Sequence, residues 1–132
     1  MKVSAILTNK HNKNEVIVST NSDAKSMIIP SKSSGYGSSV NGAELLLLSL
    51  ATCYCNDIYR EAAKRNIEIS EVSVECIAEF GAEGQPGKNF RYKPVIKSNA
   101  TPEQLEDLMH ATDKMAEIHN TLRQGVDVIL MK

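Results

Sequence analysis

The sequence carries no excess of charge of either sign: 15 Lys and Arg stand against 16 Asp and Glu over 132 residues, a net charge of −1. Gripping nucleic acid or an anionic membrane takes a surplus of cations, so neither partner is expected. No apolar run approaches the roughly 20 residues needed to span a bilayer, which excludes a membrane helix. The opening residues hold no apolar core of signal-peptide length and no small-residue cleavage site, which predicts a cytoplasmic protein. Internal repeats and low-complexity tracts are also missing. Cysteine is scarce, at three residues. Without an export signal, these are expected to be free thiols and not a disulfide framework. What remains is a single domain over residues 1–132, with 42% hydrophobic and 23% charged residues. Such proportions are ordinary for a globular fold, and the length suffices to bury a core.

Alternation and turn residues predict the elements. Val3, Ala5 and Leu7 alternate along a first strand, residues 15–20 form a β-branched second, and residues 26–29 a short third stopped by Pro30. Residues 31–42, dense in Ser and Gly, read as an exposed loop that is either a connector or the lining of a site. Residues 43–66 contain no Gly or Pro and favour helix. Leu45, Leu46, Leu47, Leu48 and Leu50 leave the first two turns without a polar side, so that helix needs cover all round. One small sheet covers one face only, which predicts an obligate homodimer. Residues 71–80 and 90–96 alternate as a hairpin around a Gly/Pro-rich loop at 81–88. Thr101, Pro102 and Gln104 spell a helix start with a capping box. Leu105, Leu108, Met109, Thr112, Met115, Ile118 and Leu122 continue it to Gly125, with a break expected near Asp113. Residues 126–131 read as a closing strand. The class is α+β in the order β-β-β-α-β-β-α-β.

The three thiols separate by geometry. Cys76 lies between Val74 and Ala78 on the apolar face of its strand and reads as core filler. Cys53 and Cys55 sit two positions apart on a helix, about 200° around its axis, so they share neither a metal nor an unstrained disulfide. Cys55 belongs to an apolar stripe with Leu48, Ala51, Ile58, Tyr59 and Ala62. Cys53 belongs to a polar one, with Ser49 one turn before it, Asn56 and Asp57 one turn after, and Arg60 two turns after. Buried polar side chains must be satisfied, so this stripe marks a wet pocket or a hydrogen-bonded interface. A reactive thiol needs positive charge nearby; Arg60 is the only cation on the stripe, and Asp57 opposes it. Cys53 is therefore either a reactive thiol or a filler.

The run Asn41-Gly42-Ala43-Glu44-Leu45-Leu46-Leu47-Leu48-Ser49-Leu50-Ala51-Thr52-Cys53 resembles the loop-into-helix signature of the OsmC/Ohr family, the osmotically inducible and organic hydroperoxide resistance proteins. Ile118-His119-Asn120-Thr121-Leu122 resembles that family's C-terminal Cys-Pro-Val-x-Asn-x-Leu stretch. The resemblance implies one OsmC-like domain and an intertwined homodimer with its long helices central. It places Cys53 at the position of the thiol that attacks peroxide, and implies that His119 and Arg123 approach the same pocket. It also exposes departures. The resolving thiol's position falls at Ala116, the assisting Glu's near Ala43, and no Arg precedes Arg60. Glu44 is better placed to hold the helix start, where a carboxylate suits the dipole.

Two functions follow from the resemblance, beside a blander third, a structural dimer with no chemistry in its pocket. In the first, Cys53 alone reduces an organic hydroperoxide or serves in redox stress, and an external thiol resolves its sulfenic acid. In the second, a non-catalytic dimer binds a small hydrophobic ligand at the subunit interface. No cofactor is expected. Nor is a metal: His110 and His119 lack recognisable ligand spacing, and surface or capping roles are commoner.

Overall fold

The computed structural model describes residues 1–132, which form two compact units, Met1–Leu45 and Leu46–Lys132. The architecture is α+β, as the patterning predicts. In the first unit, β1 (Val3–Lys10), β2 (Lys13–Thr20) and β3 (Asp23–Met27) form an antiparallel meander in the order β1-β2-β3. Lys10 pairs with Lys13 and Thr20 with Asp23, so both turns have two residues. Asn12 and Asn21 take the positive φ values of 56° and 54° that such tight turns demand. The third strand lies three residues earlier at its start than the sequence suggests, because the Thr20–Asp23 turn sets its register. The Ser/Gly loop is tied down by two asparagines. Asn9 Oδ1 accepts from the Gly37 amide at 2.9 Å, and Asn14 Nδ2 donates to Ser38 Oγ at 2.8 Å and to the Ile29 carbonyl at 3.0 Å.

The long helix α1 is Gly42–Lys64. Its start is a reciprocal cap: Glu44 N–H donates to Asn41 Oδ1 at 2.8 Å, and Asn41 N–H donates to Glu44 Oε1 at 3.0 Å. Its end is an Asn66 in the left-handed region, φ 54°, with Ile67 N–H reaching back to the Ala62 carbonyl. In the second unit β4 (Ile69–Glu79) and β5 (Lys88–Ser98) pair as an antiparallel hairpin, with Cys76 opposite Tyr92. The helix α2 (Pro102–Met115) has the predicted capping box: Gln104 N–H donates to Thr101 Oγ1, and Thr101 N–H to Gln104 Oε1.

The core of this unit follows from spacing. Tyr54, Ile58 and Ala62 recur every four residues on α1 and bury with Leu108 of α2, against Val72, Val74, Tyr92 and Ile96 of the hairpin. Each such large side chain contributes roughly 1.5–3 kcal/mol by leaving water. The leucine cluster behaves differently. Leu50 is buried, but Leu48 is 56% exposed within the protomer.

Two sequence expectations are corrected. The break after α2 falls at Ala116, not Asp113. Ala116 leaves the helix with φ −72° and ψ 105°, and a separate α3 (Glu117–Gln124) follows, capped by a left-handed Gly125. Alanine favours helix, so local propensity carried no signal of this break. Residues 126–131 form no strand either. Their β-branched composition favours extended backbone, but a ladder needs a partner, and no strand lies alongside them in the protomer. Val128, Ile129, Leu130 and Met131 are 79–96% exposed.

Candidate functional site

The break at Ala116 makes the site. It turns α3 so that its uncapped N-terminus meets Cys53 of α1: Ala116 gives no side-chain cap, and the Ile118 amide pulls the Cys53 pKa down. First-turn amides lack partners inside their own helix, so a thiol or thiolate can satisfy one of them. On the other side Cys53 Sγ donates to Asp57 Oδ2 at 3.7 Å, one helical turn along α1. Glu117, the first residue of α3, completes a trio whose Sγ and carboxylate oxygens all lie within 4.8 Å of one another.

The electrostatics of this trio oppose ionisation of the thiol. Half-burial is the main influence pushing the Cys53 pKa above its ordinary value; the charges of Asp57 and Glu117 and the bond to Asp57 push the same way, and only the Ile118 amide pulls it down. Burial likewise raises Asp57, against the pull of Arg60. Arg60 Nη1 lies 3.2 Å from Asp57 Oδ1, so the cation expected to serve the thiol is engaged with the carboxylate. The trio is also the donor set open to a metal, but one of its carboxylates is already neutralised by that arginine.

The other residues of the polar stripe disperse. Ser49 Oγ donates to the Leu46 carbonyl at 2.6 Å, a bond within its own helix. Asn56, with Cys55, Ala51, Thr52, Val72 and Val74, lines a separate hollow of about 280 Å³. Cys76 is half-buried on β4, and all three thiols are free. His110 pairs loosely with Glu106 at 3.8 Å on the exposed face of α2.

His119 and Arg123 belong to a neighbouring polar cluster on α3. His119 is 5% exposed, with ring centroids 4.6 Å from Tyr92 and 6.0 Å from Tyr54. Arg123 Nη2 lies 2.7 Å from Asp113 Oδ1, the carboxylate that also accepts from the Tyr92 hydroxyl. Burial raises Asp113, but the Tyr92 hydroxyl and Arg123 outweigh it and hold the carboxyl below its usual range. His119 moves the other way from protonation, pushed down first by burial and then by Arg123. Sequence reasoning missed Glu117, Asp113 and Tyr92. Only Glu117 carried a signal, as the residue after Ala116, the position the resemblance sets beside Cys53.

A profile of the OsmC-like protein family matches residues 35–131. A search of curated protein sequences finds no match. Among solved structures, an OsmC-like protein from Mycoplasma pneumoniae superimposes with a TM-score of 0.63 at 18% identity, covering 95% of this chain and 87% of that one. An organic hydroperoxide resistance protein from Elizabethkingia anophelis, with thiocyanate bound, gives 0.63 at 16% identity over 97% and 92% of the two chains. The organic hydroperoxide resistance protein OhrB of Bacillus subtilis gives 0.57 at 16% identity over 97% and 95%. The match over residues 35–131 takes in the loop, the helix bearing Cys53 and the Ala116 break, and on it the chain belongs to the OsmC-like family.

Proposed function

We propose that this chain, as one OsmC-like domain over residues 1–132, serves a peroxide-stress role in which Cys53 reduces an organic hydroperoxide. The observation that carries the reading is the place of Cys53 at the start of α3, its thiol donating to Asp57 and its sulfur within 4.8 Å of the Glu117 carboxylate. The hydroperoxide resistance proteins among its structural neighbours point to the same class of substrate. The Cys53 thiolate attacks one peroxide oxygen; an S–O bond forms, the O–O bond breaks, and the departing alkoxide takes a proton to leave as an alcohol. Asp57, already accepting from Cys53, is placed to receive the thiol proton and return it. The resulting sulfenic acid has no thiol at Ala116 to condense with. An external thiol forms the mixed disulfide and releases water, and a second thiol frees Cys53.

Peroxide treatment followed by a sulfenic-acid-trapping dione is expected to label Cys53 and neither Cys55 nor Cys76, read by peptide mass spectrometry. An untouched Cys53, or an internal disulfide formed in folded protein, would refute the reading. The exposed Leu48 and the raised thiol favour the second reading, a non-catalytic homodimer holding a small hydrophobic ligand between subunits. Both readings require the dimer. Sedimentation at micromolar concentration is expected to give twice the 14.5 kDa chain mass. A folded species of monomeric mass would remove the basis for either.

A further inference from the structure

A cavity of about 350 Å³ opens between α1, β5 and α3, lined by Leu50, Phe90, Tyr92, His119, Leu122 and Arg123, and by the exposed Arg91. A second hollow of about 420 Å³ shares Phe90, Leu122 and Arg123 with it and extends to Gly87. The first volume falls within the roughly 300–1,000 Å³ of small-molecule sites. We infer that this cavity binds an uncharged apolar molecule bearing one hydroxyl group, which hydrogen-bonds His119. The inference goes beyond the chemistry at Cys53 and does not depend on it.

His119 supplies the first argument. It is 5% exposed, and neither ring nitrogen has a hydrogen-bond partner in the protein. Its aromatic neighbours do not serve it, because the Tyr54 hydroxyl donates to the Met109 carbonyl at 3.0 Å and the Tyr92 hydroxyl to Asp113. A buried polar group without a partner is unfavourable, so a ligand that supplies one gains from the vacancy.

Charge supplies the second. Arg123 is matched by Asp113 at 2.7 Å, and its Nη1 is held by the Asn120 side chain at 3.1 Å. A carboxylate ligand would find that cation already paired. An ammonium would find no carboxylate among the lining residues. Arg91 also lines the cavity but is exposed, so its charge is solvated and offers a carboxylate only weak pairing. Burial and Arg123 both keep the imidazole neutral, with one N–H and one lone pair. A hydroxyl both donates and accepts and so suits either nitrogen. The remaining walls, Leu50, Phe90, Leu122 and the Tyr92 ring, call for an apolar body.

Octanol, octanoate and octylamine test this against the intact protein at neutral pH, with the imidazole nitrogens followed by NMR. Octanol is expected to shift the His119 ring signals saturably, with octanoate and octylamine at least about tenfold weaker for want of a buried, unpaired counter-charge. His119→Leu should weaken octanol by about tenfold or more through loss of the single polar anchor. Leu122→Trp fills the cavity from a partly exposed position and leaves the histidine itself in place, and should block octanol even if His119→Leu does not fold. Tighter binding of either charged probe would overturn the inference. So would undiminished octanol binding by folded His119→Leu or Leu122→Trp protein, or no saturable shift at all. Sulfenic-acid trapping at Cys53 reads out separately, so failure of one proposal is distinguishable from failure of the other.

Discussion

Leu108→Ala is expected to lower the stability of the fold by roughly 2–5 kcal/mol, the range for deleting a fully buried leucine side chain. Leu108 is 0% exposed and packs with Tyr54, Ile58 and Ala62, where α2 meets α1. The lost methyl groups forfeit their transfer free energy. Their neighbours cannot collapse freely, because the Tyr54 ring is held by its hydroxyl on the Met109 carbonyl, so a cavity term adds to the loss. Against a total stability of about 5–15 kcal/mol, this is a large fraction. The thermal midpoint should fall by roughly 10 °C, measured by circular dichroism at one fixed protein concentration. Leu105→Ala, half-buried one turn earlier, should cost clearly less. A Leu108→Ala loss below about 1 kcal/mol would mean that the α1–α2 contact is not the centre of the core.

Part of that core was legible in the sequence because it rests on local periodicity. Ile58 and Ala62 fall on the apolar stripe of the helix, Val72 and Val74 alternate as a strand, and Thr101 with Gln104 announces a cap, so each signal lies within a few residues of what it predicts. Tyr54, the core's ring, was not read there, and Leu48 and Tyr59 of that stripe are exposed. The Ala116 break and the unpaired residues 126–131 were not legible for the converse reason. Whether alanine continues a helix, or a β-branched run finds a ladder, is decided by distant chain, and tertiary context overrides propensity there. The exposed apolar side chains of 128–131 keep the character that made them read as a strand; what is missing is the neighbour.

The site divides along the same line. Cys53 and Asp57, one helical turn apart, were legible together, as was Arg60 beyond them. Glu117, 64 positions from Cys53 along the chain, enters the site only because α3 begins where it does. Tyr92 and Asp113 are joined across 21 positions by a hydrogen bond that no spacing rule contains. Arg60 shows a subtler failure. Helical spacing puts it on the stripe of the thiol, but its nearer carboxylate claims it at 3.2 Å, so proximity in the helix did not translate into help for Cys53.

Asp57→Asn is expected to make Cys53 more reactive. Asp57 raises the thiol pKa in two ways, through its charge and by accepting the thiol hydrogen bond; asparagine removes the charge, keeps the size, and frees Arg60 to face the sulfur. A pKa held above the ordinary thiol value leaves little thiolate at neutral pH, and the alkylation rate climbs as pH rises through that pKa. Lowering the pKa moves the whole curve to lower pH, and each unit multiplies thiolate well below the pKa by about ten. A less basic thiolate is a somewhat weaker nucleophile, with a Brønsted slope of about 0.4–0.5, so the gain at neutral pH is partial and the plateau at high pH falls slightly. The net expectation is roughly a three- to tenfold faster reaction with iodoacetamide at pH 7 and a midpoint shifted to lower pH. Arg60→Gln should do the reverse, leaving Asp57 uncompensated beside the thiol. In peroxide turnover Asp57→Asn faces a second consequence, loss of the group that holds the thiol proton, so its alkylation gain should exceed its peroxide gain. An Asp57→Asn protein that alkylates no faster at pH 7, with an unshifted midpoint, would show that burial alone sets the ionisation of Cys53 and that the carboxylate is a bystander.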